Sequence, residues 1–61
     1  MTAPRRIEGY IARLRAIAQP VGPLHSYWEI IMDLEAVLRG EIRGPAQEEV
    51  IALAERALGE H

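Results

Sequence analysis

The sequence contains no cysteine, no phenylalanine and no lysine. Without cysteine there are no disulfides, no thiolate metal ligands and no cysteine nucleophile. Without phenylalanine, core volume must come from Ile, Leu and Val together with Tyr10, Tyr27 and Trp28. The seven basic residues are all arginine, which reads as coding bias before it reads as function. Histidine occurs only at His25 and His61, too few to suggest a structural zinc site. The lone serine, Ser26, is better explained as a helix cap than as a nucleophile. No glycine-rich phosphate loop, GxSxG or HExxH is present. The Glu-x-x-His spacing of di-iron bundles is missing as well. There is no run of about 18 apolar residues that could span a membrane. Arg5 and Arg6 near the N-terminus are not followed by the apolar stretch of a secretory signal. A cytoplasmic protein without enzymatic activity or cofactor is expected.

What is present is a single short domain. A chain of 61 residues lies near the lower limit for an independent core, since folding hides only about 60% of the unfolded surface at that size. Small domains gain support from disulfides, metals or oligomerisation, and the composition leaves the last. Charge is segregated along the chain. Residues 1–19 hold four arginines and one glutamate, and residues 20–61 hold three arginines and eight carboxylates, which together give the net −2. A basic first segment beside an acidic remainder suits pairing within or between chains.

The pattern is all-α, with helices expected near residues 4–19, 24–39 and 45–58. In the first, Ile7, Tyr10, Ile11, Leu14, Ile17 and Ala18 recur at helical spacing on one face. Thr2 suits its N-cap and Pro4 its first turn. Gly9, inside this helix, costs roughly 1 kcal/mol relative to alanine, so a close helix contact is expected there. Pro20 ends the helix. The second helix starts at Pro23 or at Ser26, whose spacing to Glu29 matches a capping box, and Gly40 fits the left-handed residue after its end. The third opens at Gly44-Pro45 and stops at Gly59. Its apolar face comprises Ala46, Val50, Ile51, Leu53, Ala54, Ala57 and Leu58.

The second helix carries the most apolar surface. On a helical wheel Leu24, Tyr27, Trp28, Ile30, Ile31, Met32, Leu34, Val37 and Leu38 cover about 220°, against the stripe of somewhat over 100° usual for an outer helix. Such an arc places the helix at the centre of a bundle or against another chain. A homodimer is the expected arrangement, with Tyr27, Trp28, Ile30, Ile31, Leu34 and Val37 as its contacts, and a small protein–protein interaction module is the expected function. The partner is a second copy or another protein. Glu35, inside the arc, pairs either with Arg39 at i+4 or with an arginine of the first helix or of a partner.

Two other readings use different residues. Arg5, Arg6, Arg13 and Arg15 could contact DNA in a small antitoxin-like dimeric regulator. A helix-turn-helix reading fails, because the exposed positions of the third helix include Glu48, Glu49 and Glu55, which phosphates repel. His25, Glu29 and Asp33, at i, i+4 and i+8, could share one helix face and bind a divalent metal in a helical bundle, although the same row reads equally as a solvated face. The first helix is also basic and amphipathic enough to lie on an anionic membrane, but its apolar stripe is what a bundle requires.

Overall fold

Segments that each carry one apolar stripe can hide their stripes by packing face to face, and this is the arrangement found. The computed structural model describes residues 3–59. It contains α1 (Ala3–Ala18), α2 (Tyr27–Leu38) and α3 (Pro45–Leu58), with no strand among the described residues. Each helix touches both of the others. From α1 the core receives Ile7, Tyr10, Ile11 and Leu14, from α2 Ile31, Leu34 and Val37, and from α3 Val50, Ile51 and Ala54. Leu14 and Leu34 are sealed at the centre. Ile42, in the α2–α3 connection, packs on the same cluster. The α1 stripe is as expected except at its edge, where Ile17 is exposed.

The folded chain exposes 4287 Å², against roughly 9,900 Å² for an unfolded chain of 6.8 kDa, so folding hides about 57% of the surface. The radius of gyration, 11.0 Å, is close to the roughly 10.5 Å of a well-packed chain of this length.

The helix ends show where local sequence acts. Thr2 lies outside the described residues. α1 stops at Ala18, two residues before Pro20, as the restriction on the residue before proline requires. α2 begins at Tyr27 with Ser26 as its N-cap residue, the later of the two expected starts and past residue 24. The reason is a chain of short turns. The His25 N–H bonds Gly22 O, the Trp28 N–H bonds His25 O, and the Glu29 N–H bonds Ser26 O. These three-residue steps use up the residues that would have formed another helical turn.

The capping box is not formed, since the Ser26 side chain makes no capping bond. His25 takes that role instead, its Nδ1 accepting the Tyr27 N–H at 3.1 Å, which puts any ring proton of the neutral form on Nε2. At the other end of α2, Gly40 (φ +80°) adopts the left-handed conformation that favours glycine. Its N–H bonds Val37 O and the Glu41 N–H bonds Ala36 O, the paired bonds of a Schellman motif.

Gly9 departs from expectation. A Cβ built at this position would meet nothing within 4 Å, so no contact inside the chain offsets the cost of a helical glycine.

Candidate functional site

The chain leaves its main apolar exposure at the corner where α1 turns into α2. Gly22 (φ +121°) holds a conformation that L side chains rarely adopt, and its carbonyl accepts two donors. One is the His25 N–H at 3.3 Å. The other is the Trp28 indole Nε1–H at 2.9 Å, which fixes the half-buried ring across the turn. Gln19, Gly22, Pro23 and Trp28 line a shallow depression of about 440 Å³. In the same connection Val21 is 66% exposed and Leu24 98%, and on α2 Met32 is 65% exposed. Met32 follows Trp28 by one helical turn, so both lie on the same flank of α2.

Opposite charges border this flank. On the α1 side, Arg15 Nη2 donates to Glu35 Oε2 at 3.2 Å, with the two side chains still 45% and 40% exposed. On the far side, Glu29 and Asp33 are both exposed. Glu35 therefore reaches an arginine of α1. Arg39 turns instead to Glu41, with Nε–Oε2 at 2.9 Å and Nη2–Oε1 at 3.3 Å. The hydrogen bond from Arg39, reinforced by its charge, holds the Glu41 carboxyl below the usual glutamate range.

The other polar contacts fasten helices together. The Tyr10 hydroxyl donates to Glu55 Oε2 at 2.8 Å, tying α1 to α3. The Tyr27 hydroxyl donates to Ala57 O at 3.1 Å, satisfying a carbonyl of the last α3 turn that has no helical partner.

The residues expected at an interface divide into two groups. Ile31, Leu34 and Val37 are buried by α1 and α3 of their own chain and have no surface to offer a partner. This corrects the expectation drawn from the wide arc, because much of that arc is consumed at home. Tyr27, Trp28 and Ile30 are half-buried, and of these Trp28 belongs to the exposed corner.

The metal row is not assembled. His25 precedes α2 and spends Nδ1 on a backbone amide, so it does not extend the row of Glu29 and Asp33. Among the described residues no three His, Cys, Asp or Glu side chains converge on a metal position.

The arginines of α1 are all exposed but not gathered. Arg6 and Arg13, seven residues apart, share one flank, Arg15 lies on the opposite flank against Glu35, and Arg5 lies on the outer face.

No protein family, curated protein or solved structure matches this chain. Among the described residues no helix is long and apolar enough to cross a membrane.

Sequence reasoning missed the corner itself. Leu24 was placed on a helical wheel although it stands outside the helix, and the Gly22 carbonyl, a backbone group, leaves no side-chain signature. The legible signal was the Gly22-Pro23 pair followed by Trp28 and Met32 at i+4 spacing.

Proposed function

We propose that this chain is a non-enzymatic association domain that binds protein through the apolar flank at the α1–α2 corner. The observation that carries the reading is a tryptophan whose indole is clamped to the Gly22 carbonyl, next to a connection that leaves Leu24 98% exposed. Scattered surface apolar residues need no explanation, but Val21 and Leu24 in the α1–α2 connection and Met32, one helical turn after Trp28, are all exposed on a very small domain. A ring already held in place loses little freedom on binding, and aromatic anchors of this kind dominate interface energetics. The acidic row of Glu29 and Asp33 supplies the polar rim that protein interfaces carry. DNA contact through α1 has weaker support, because the four arginines share no stripe.

The test compares what co-purifies with the native chain and with a Leu24→Ser, Met32→Ser double variant. A protein partner or second copy retained by the native chain and lost by the variant supports the reading. Equal retention by both, or retention of nucleic acid alone, overturns it.

A further inference from the structure

We infer that the occupant of this corner is a second copy of the same chain, related by a two-fold axis running along α2. The inference rests on the association reading and narrows it to one partner.

Charge complementarity carries it. Across the flank the order is Arg15 with Glu35, then the apolar row of Trp28 and Met32, then Glu29 and Asp33. One border offers a guanidinium and the other is wholly acidic. A two-fold axis parallel to α2 exchanges left and right, so the acidic border of each copy faces the Arg15 border of the other. An axis perpendicular to α2 would set like borders together. The first arrangement makes the face self-complementary, as a closed isologous dimer requires. Arg15 can serve both carboxylates. It makes one contact to Glu35 and is 45% exposed, while a guanidinium carries five donors in a fixed fork.

The same segregation runs through the chain. α1 carries Arg5, Arg6, Arg13 and Arg15 against Glu8, whereas α2 carries Glu29, Asp33 and Glu35 with no basic residue. The apolar row then meets its own image, so one contact covers the exposed residues of both copies.

The experiment is sedimentation equilibrium over a dilution series, with circular dichroism to confirm that each variant stays helical. The native chain is expected to dimerise reversibly. Met32→Glu, at an exposed position, abolishes the dimer without unfolding the chain. Asp33→Arg, which sets arginine against Arg15 of the other copy, raises the dissociation constant at least about tenfold. Adding Arg15→Glu to Asp33→Arg restores most of that loss.

A native chain that remains monomeric at the highest concentration overturns the second-copy inference. The association reading then survives if the Leu24→Ser, Met32→Ser variant loses a different protein partner. A dimer indifferent to Met32→Glu or to Asp33→Arg overturns the inference by placing the contact elsewhere or on another axis.

Discussion

Leu34 and Met32 lie two residues apart on one helix and are expected to respond in opposite ways to alanine. Leu34 is sealed within the core, and Met32 is 65% exposed. Leu34→Ala removes buried carbons and leaves a cavity that the three helices close only in part, at a cost of about 2–5 kcal/mol. A 61-residue chain has on the order of 3–9 kcal/mol to lose, and cores of this size rarely supply more than about 3–5 kcal/mol. The substitution therefore consumes half or more of the folding free energy. Met32→Ala, at a surface position where alanine favours the helix, stays within about 0.5 kcal/mol of the native chain.

The assay is urea denaturation followed by far-UV circular dichroism at two widely separated protein concentrations. The midpoint for Leu34→Ala is expected to fall by half or more, with an equal loss at both concentrations, and that for Met32→Ala to stay in place at the lower concentration, where the chain is monomeric. A Leu34→Ala midpoint close to the native value would refute the core assignment. So would a loss that appears only at the higher concentration, because Leu34 would then belong to a contact between chains.

Three further outcomes follow from the local geometry. Gly9→Ala, on a helix where the new methyl group meets nothing within 4 Å, gains about 0.5–1 kcal/mol and raises Tm by about 2–8 °C, and an unchanged or lower Tm in calorimetry would contradict this. Gly40→Ala forces a left-handed backbone at φ +80° and brings Cβ to 3.2 Å from Arg43 Nη2, costing about 1–2 kcal/mol, which the urea midpoint reads directly. The carboxyl of Glu41 is held low first by the Arg39 hydrogen bond and then by its charge. Whatever stability the pair adds is therefore present above the ordinary glutamate pKa and disappears as pH falls through the lowered one. NMR titration of the Glu41 carboxyl should show its midpoint rising in Arg39→Gln, and equal midpoints would refute the pairing.

Periodicity carried most of the fold because each helix has a true apolar stripe. Ile7, Ile11 and Leu14 recur at spacings that only a helix places on one face, and the structure buries all three. Gly40 and Gly59 marked helix ends because their left-handed backbone demands glycine. The start of α2 was less legible. Ser26 and Glu29 have the spacing of a capping box, yet His25 captured the first amide, and nothing in the spacing says which of two neighbouring acceptors prevails. The wide arc of α2 left a central position and contact with another chain both open, because wheel angle alone does not divide the arc between α1, α3 and a partner. That division depends on how closely the small residues of α3, such as Ala54 and Ala57, let α2 approach. Glu35 could pair with Arg39 or with an arginine of α1 or of a partner, and only the packing of α1 on α2 decides for Arg15.

The three aromatic side chains that stand in for the missing phenylalanines also divide the molecule for spectroscopy. The indole of Trp28 is anchored to the first bend, whereas the phenols of Tyr10 and Tyr27 are both hitched to the final helix. The indole emission therefore reports on the bend without any added dye, and occupancy of the bend would shift it. Detachment of the last helix would release both phenol hydroxyls from their acceptors, a change to be followed in their ultraviolet absorption.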